Sequence, residues 1–395
     1  MTVPNWIWYL FVFANGCCIG SFLNVVVYRM PRDKSLMSPP SSCPACNRRI
    51  RFYDNIPLVS WLLLGRKCRF CKAPVSPRYF VIELLTGLVF LGVCILYFST
   101  DLRKGVPPFL EGGWLFYLLH IVLLSAFIAA SAIDLELWII PLGICWFVTI
   151  AAFIISAFGG YLIEPTVIAE YSLFPRASFF TGSLAIGASV GLAISSVLLM
   201  TGLLKRSYEE QGPDQAGGKH QNNTTENDAS AEPDVPPEGD FNHRLEACRE
   251  IVYLLPIIIC SVAAYLILSE LMPSGMRVSF DTKHPVFAGL LGSIWGYFVG
   301  CGIVWAIRVF GAFAFGKEAM GLGDVHLMGA AGAVIGPIMV VIAFFVAPFF
   351  GLAWAGSQMF FKKVRQIPYG PFLSLGVFVV IIFHDAIMSR IDYLF

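Results

Sequence analysis

Nine apolar runs, each about as long as a bilayer is thick, constrain the fold of this chain more than any other feature. They lie at roughly 6–28, 80–99, 114–133, 140–158, 178–204, 251–271, 286–310, 338–361 and 370–388. A helix needs about 20 apolar residues to cross a bilayer core, so each run is predicted to be a transmembrane helix. A shorter apolar stretch at 325–337, ending at Pro337, is a candidate tenth span. Only 13% of the residues are charged, whereas soluble domains carry about 25%. We therefore expect an all-α polytopic membrane protein with about 9–10 transmembrane helices.

The loop at 29–78 sets the expected orientation of these helices. It carries eleven Lys or Arg residues and only two acids, Asp33 and Asp54. Strongly basic loops stay in the cytoplasm, which places the N-terminus outside. Alternating the spans then puts Asp134 and Asp324 together on the cytoplasmic face.

Four regions follow from this distribution of spans and charge. They are 1–99, with two spans and the basic loop; 100–177, with Asp134; 178–271, with two spans and an acidic linker; and 272–395, with Asp324. The acidic linker, 207–240, has nine acids and one Lys and is predicted to be disordered because it cannot bury a core.

Asp134 and Asp324 are the candidate catalytic residues, because each lies where an apolar span meets a short polar loop. An ionisable group at membrane depth is costly and marks a functional site by default. Two carboxylates that meet across helices suggest acid–base hydrolysis of a peptide bond. Gly321 and Gly323, just before Asp324, would let the backbone turn sharply, and Pro141 would start the helix after Asp134.

The basic loop contains two Cys-x-x-Cys pairs separated by twenty-one residues: Cys43 with Cys46, and Cys68 with Cys71. Two short turns of this kind present four thiolates to one tetrahedral Zn²⁺ ion. Four protein ligands leave no open position for water, so this cytoplasmic Cys₄ zinc site is predicted to be structural.

Several further motifs occur in a recognisable order. Together with the two aspartate motifs and the cysteine loop, the chain resembles the type IV prepilin peptidases, which are membrane aspartyl proteases with a Gly-x-Gly-Asp motif. The motifs that carry this resemblance are Gly20–Arg29, Tyr53–Pro57, Ser76–Tyr79, Glu83–Gly87 and Pro368–Phe372.

The resemblance implies an activity and its partners. Such enzymes remove a short basic leader from prepilins or pseudopilins of type IV pili or type II secretion. They cut after a Gly, at the cytoplasmic face of the bacterial inner membrane. Many also methylate the new N-terminus with S-adenosylmethionine, for which no binding residue is assigned here. The expected partners are the prepilin or pseudopilin substrate and the lipid bilayer, and no nucleic acid is expected. Near the site, Pro368 and Gly370 are expected to lie in an irregular segment.

The chain departs from the family pattern twice. Residues 178–271 add two spans between the aspartates, an even number that preserves the sidedness of everything after it. His326 stands where the family usually has Lys, two residues after Asp324, and on a helix it would point away from that aspartate.

A membrane transporter or channel is the alternative function, because intramembrane acids also mark ion pathways. Transporters usually show internal repeats or broken helices near the middle of the bilayer. No repeat is evident in this sequence, and both aspartates are expected at one face.

Overall fold

The structure is a computed structural model that describes residues 4–100, 102–205, 207, 243–361 and 368–394. Within these residues every regular element is a helix, and no strand is present. This confirms the all-α prediction. The predicted acidic linker lies outside the described residues except for residue 207.

Among the described residues, eight helices are long and apolar enough to cross a membrane. They are α1 (Asn5–Arg29), α3 (Pro77–Phe98), α4 (Gly113–Leu137), α5 (Leu142–Leu162), α7 (Phe179–Met200), α8 (His243–Leu271), α11 (Pro285–Phe315) and α13 (Pro337–Phe361). The remaining helices are shorter: α2 (Val59–Leu63), α6 (Pro165–Tyr171), α9 (Ser274–Val278), α10 (Phe280–Lys283), α12 (Leu322–Ile335), α14 (Gly370–Ile382) and α15 (His384–Leu394).

The last predicted span and the short tenth candidate take forms that the apolar pattern did not predict. The run at 370–388 is not one straight helix, because α14 and α15 meet at Phe383 with a bend of 73° and make at most one span together. The stretch at 325–337 becomes α12, whose 14 residues extend about 21 Å, less than the roughly 30 Å of a bilayer core.

Close helix pairs in this fold depend on glycine. In α1, a Cβ on Gly16 would lie 2.8 Å from the Cα atom of Gly87 in α3. In α11, a Cβ on Gly296 would lie 2.0 Å from the carbonyl oxygen of Gly332 in α12. Small residues allow helix backbones to approach closely where lipid supplies no hydrophobic driving force. The short helix α12 is therefore pressed against α11 along much of its length.

The helices have two distinct ends. At one, named here the aspartate end, α4 and α11 finish, α12 and α14 begin, and Arg78 of α3 forms an ion pair with Glu136 of α4. At the opposite end, Arg103 donates hydrogen bonds to the carbonyl oxygens of Tyr171 and Ser172 and pairs with Asp385 of α15. Helix α4 lies in the centre, because most of its residues are buried, whereas α8 is peripheral and buries few of its residues.

Candidate active site

Asp134 lies in the last turn of α4 and is buried, with 6% of its surface exposed. The helix stops because Trp138 adopts a left-handed conformation and donates its N–H to the Asp134 carbonyl oxygen at 3.0 Å. The carboxylate Oδ2 atom accepts the backbone N–H of Gly370, the first residue of α14, at 3.0 Å. The side chain is therefore held by a helix that starts 236 residues later in the chain.

Asp324 is the third residue of α12 and is half-buried. Its Oδ2 atom accepts the backbone N–H of Gly321 at 3.2 Å, a bond typical of an acidic residue in the first turn of a helix. Gly321 is extended in backbone conformation and caps the helix. Asp324 is thus oriented by the Gly-x-Gly turn that precedes it.

The segments that carry the two aspartates meet at Ile140. A Cβ on Gly323 would lie 2.8 Å from the Ile140 Cβ atom, and one on Gly370 would lie 3.2 Å from the Ile140 Cδ1 atom. Gly370 also holds the Asp134 carboxylate, and Gly323 directly precedes Asp324, so Ile140 lies between the two aspartate-bearing segments. Both predicted aspartates therefore lie in one site at the aspartate end.

The structure places the supporting residues around this site. Pro141 immediately precedes α5, and its carbonyl oxygen accepts the first-turn N–H of Ile144. Pro368 lies two residues before α14. The prediction of an irregular segment is wrong for Gly370, which already belongs to the helix, and Pro371 occupies the first turn, where proline is tolerated.

His326 points away from the paired aspartates, as its position on the helix predicts. Its Nδ1 atom lies 3.0 Å from the Tyr297 hydroxyl of α11, and its ring lies 5.8 Å from that of Trp146 in α5. The residue therefore packs α12 against its neighbours.

The sequence interpretation missed the arginines near the site. Arg78 pairs with Glu136, two residues after Asp134, and Arg308 pairs with Glu318, six residues before Asp324. Arg308 lies inside the apolar run 286–310, so the cost of an ionisable group at membrane depth was a signal that could have identified it.

The four predicted metal ligands come together in the loop between α1 and α3. The sulfur atoms of Cys43, Cys46, Cys68 and Cys71 all lie within 4.8 Å of one another. The Cys43 and Cys71 sulfur atoms are 3.8 Å apart, which equals the edge of a tetrahedron with metal–sulfur distances of about 2.3 Å. The donor set and its spacing fit one zinc ion.

The two cysteine turns have the same backbone geometry. Asn47 and Lys72, each directly after the second cysteine of its pair, adopt left-handed conformations with φ of 54° and 59°. The backbone N–H groups of Cys71 and Phe70 point at the Cys68 sulfur and lower the pKa of that thiol. A lowered pKa favours the thiolate, which is the form that binds metal.

Contacts outside the cysteines join this loop to the membrane helices. Arg69 donates a forked hydrogen bond to Asp54 within the loop, at 2.6 to 3.0 Å. The backbone N–H of Leu58 donates to the buried Glu83 carboxylate of α3 at 2.8 Å, and Trp61 stacks on Phe80 with ring centres 4.8 Å apart. The loop is therefore attached to the first two turns of α3.

Fold and site together define a polytopic α-helical membrane protein with a pair of carboxylates at one end and a four-cysteine loop on the same side. Two family models match this chain. Residues 14–97 match the bacterial peptidase A24 N-terminal domain, and residues 252–356 match the type IV leader peptidase family. Asp324 lies within the second match, whereas Asp134 lies between the two.

Curated relatives agree with the family models. A prepilin leader peptidase/N-methyltransferase of Aeromonas hydrophila is 30% identical over 249 residues, which cover 50% of this chain and 79% of that protein. One of Myxococcus xanthus with the same description is 43% identical over 134 residues, 34% of this chain and 36% of its own length. A type 4 prepilin-like proteins leader peptide-processing enzyme of Escherichia coli is 41% identical over 162 residues, 35% of this chain and 55% of its own.

The chain belongs to the type IV leader peptidase family. The matches to the Myxococcus and Escherichia proteins span less than two thirds of those proteins. No solved structure matches the chain.

Proposed function

We propose that this protein is a membrane-embedded aspartyl endopeptidase that cuts the basic leader from type IV prepilins or pseudopilins after a Gly. The observation that carries the proposal is the convergence of Asp134 and Asp324 at one end of the bundle, each held by a backbone N–H of a glycine. A transporter would instead place its ionisable groups near the middle of the bilayer.

In the proposed reaction the two carboxylates share one proton. The ionised carboxylate removes a proton from water, and the resulting hydroxide attacks the carbonyl carbon of the scissile bond. The protonated carboxyl donates a hydrogen bond to the carbonyl oxygen and then gives its proton to the leaving nitrogen. Among the described residues no hydrogen bond reaches the Oδ1 atom of Asp134 or Asp324, so these two oxygens keep their hydrogen-bonding capacity for water and the substrate carbonyl. The pair titrates as a unit, and neither aspartate is assigned as the base.

The aspartate end is proposed to face the cytoplasm, with the N-terminus outside the bacterial inner membrane. The basic loop at this end supports this orientation. A prepilin would enter from the bilayer with its apolar helix, leaving its leader at the aspartate end. Arg78 pairs with Glu136, whereas Arg308 is shared by Glu250 and Glu318, so a negative charge remains near the two aspartates and would attract a basic leader.

Zinc is proposed to be bound by Cys43, Cys46, Cys68 and Cys71. With four protein ligands the ion would supply no catalytic water and would instead hold the loop in shape. The loop reaches the Glu83 carboxylate of α3, so zinc would stabilise this part of the aspartate end.

Methylation of the new N-terminus is the second proposed activity, with S-adenosylmethionine as the methyl donor. The printed names of the Aeromonas and Myxococcus relatives include N-methyltransferase. Asn24 of α1 offers a feature that fits a bound cationic or hydrogen-bond-donating group. It is 2% exposed, and its Oδ1 atom has no hydrogen-bond partner within the part of the chain that the structure describes. Its Nδ2 atom donates to the Tyr79 carbonyl oxygen, one turn before the buried Glu83.

The test of cleavage uses purified protein in detergent with a prepilin-like peptide that carries a basic leader, Gly, Phe and an apolar helix. We expect cleavage after Gly by the wild type and a loss of roughly a thousandfold or more in Asp134→Asn and Asp324→Asn. Asp392→Asn, an exposed aspartate in α15, is the matched control and should cut normally. Full activity in both active-site variants would exclude the aspartate pair.

The test of methylation adds S-adenosylmethionine to the same reaction. A mass increase of about 14 Da on the cleaved product would support the second activity, since one methyl group replaces one hydrogen. Asn24→Ala should keep cleavage and lose this increase. Normal methylation by Asn24→Ala would remove that residue from the methyl-transfer site.

A further inference from the structure

Arg308, two turns before the end of α11, is 2% exposed. A guanidinium buried in this way persists only when its donors are paired. Its partners come from two directions: a carboxylate of α8 on one side, and the segment that leads into the Gly-x-Gly-Asp motif on the other. The residue therefore connects the outlying α7–α8 hairpin with the candidate active site.

Glu250 is the partner on the α8 side and is 3% exposed. Its Oε1 atom accepts the Arg308 Nε–H at 2.8 Å, and its Oε2 atom accepts the Trp305 Nε1–H of α11 at 2.9 Å. Both carboxylate oxygens are therefore bonded to α11. The contact extends one turn further along α8, where the ring of Tyr253 lies 5.7 Å from that of Trp305.

Two further partners of Arg308 belong to the connection between α11 and α12. Its Nη1 group donates to the Glu318 carboxylate and to the Met320 carbonyl oxygen. Met320 directly precedes Gly321, whose N–H binds the Asp324 carboxylate. The connection after α11 packs back against that helix at Gly311. A Cβ on Gly311 would lie 2.4 Å from the Ala319 Cβ atom, so only glycine allows this close contact.

We propose that Glu250 of the α7–α8 hairpin positions the catalytic segment 318–324 through Arg308. The guanidinium is planar and rigid, so fixing its Nε–H on Glu250 also fixes the direction in which Nη1 points. That direction places Met320 and hence the Gly321 N–H that orients Asp324. Glu250 and Arg308 act as positioning residues, and the consequence for activity rests on the peptidase function proposed above.

This role explains why peripheral α8 carries a buried carboxylate. A hairpin that served only to fill space in the bilayer would need no charge at this position, because burying a charge has a large desolvation cost. The α7–α8 packing itself is secured elsewhere, for example by the Ser195 hydroxyl, which donates to the Tyr253 carbonyl oxygen at 2.7 Å. Ser195 therefore offers a matched control within the hairpin that does not touch Arg308.

The experiment compares wild type, Glu250→Gln, Arg308→Lys and Ser195→Ala by two readouts on the full-length protein in detergent. The first is backbone hydrogen exchange of peptides that cover 316–325, detected by mass spectrometry. The second is the kinetics of prepilin-peptide cleavage. Glu250→Gln removes the negative charge but keeps the shape of the side chain. Arg308→Lys keeps the positive charge but loses the planar guanidinium, whose separate N–H groups bind Glu250 and the 318–320 segment. We expect both to accelerate exchange in 316–325 and to lower kcat about tenfold or more, with KM changed less than twofold.

Ser195→Ala should leave exchange in 316–325 and kcat within about twofold of the wild type. A double variant, Glu250→Gln with Arg308→Lys, should be no worse than the more severe single variant, because the two residues act as one unit. Wild-type exchange and kcat in Glu250→Gln would overturn the proposal, as would an equal effect of Ser195→Ala. If the wild type cut no prepilin peptide, the peptidase proposal would fail and the exchange measurement alone would decide the positioning role.

Discussion

At the scale of single residues, both aspartates are oriented by backbone N–H groups of glycines. Gly370 serves Asp134 and Gly321 serves Asp324, in each case through the Oδ2 atom. A backbone donor cannot rotate away as a side chain can, so one oxygen of each carboxylate is fixed in place. A Cβ on Gly370 would lie 2.7 Å from the Asp134 Oδ2 atom, so any larger residue there would have to shift the carboxylate.

Gly370→Ala is therefore expected to impair cleavage without removing a hydrogen-bond donor. The added methyl group must displace the Asp134 carboxylate, and a misplacement of about 1 Å can cost roughly a hundredfold in rate. The measurement is kcat for prepilin-peptide cleavage, alongside the melting temperature of the detergent-solubilised protein.

Gly302→Ala is the control for this substitution. Gly302 lies in α11, and a Cβ there would meet no atom within 4 Å. It should match the wild type in both measurements. A wild-type cleavage rate in Gly370→Ala would contradict the expectation that cleavage depends on the position of the Asp134 carboxylate.

At the scale of helices, the sequence predicted what depends on local pattern and missed what depends on distant partners. The apolar runs predicted α1, α3, α4 and α5 because a span needs only length and apolarity. The bend at Phe383 was not predicted, since no proline or glycine marks it. In the folded chain, Asp385 just beyond it pairs with Arg103 of a loop 282 residues earlier.

The candidate site shows the same division. Asp134, Asp324 and the four cysteines belong to local motifs, so the sequence alone was enough to name all six as candidates. The pairing of Glu250 with Arg308 joins residues 58 positions apart on different helices, and no local pattern specifies it. The Gly370 N–H that holds Asp134 is more distant still.

The cysteine loop leads to a prediction at the scale of one element. The purified protein should contain about one zinc ion per chain, because one tetrahedral site is present among the described residues. Cys68→Ser should lose the ion, which elemental analysis measures, and the loop should become more sensitive to protease. Cys248→Ser, which changes an exposed cysteine outside the loop, should keep the ion. Equal zinc content in the two variants would contradict the assignment of Cys68 as a ligand.

At the scale of the whole molecule, the two ends of the bundle differ in charge. The loop 29–78 at the aspartate end has eleven basic residues and two acids. The connections at the opposite end, 99–112, 163–178 and 272–284, together hold five basic and five acidic residues. Lys and Arg in short loops favour the cytoplasmic side, whereas acids contribute little, so the basic excess predicts that the aspartate end faces the cytoplasm.

Reporter fusions test this orientation directly. Alkaline phosphatase acquires its disulfides only outside the cytoplasm, so it is active there alone. Inserted at Gly275, in the connection at the opposite end, it should be active; inserted at Gly65, in the cysteine loop, it should be inactive. A Cβ at either position would meet no neighbouring atom within 4 Å, so neither glycine is packed against another part of the chain. Activity at Gly65 with none at Gly275 would place the aspartates outside the cell, where a leader that stays in the cytoplasm could not reach them.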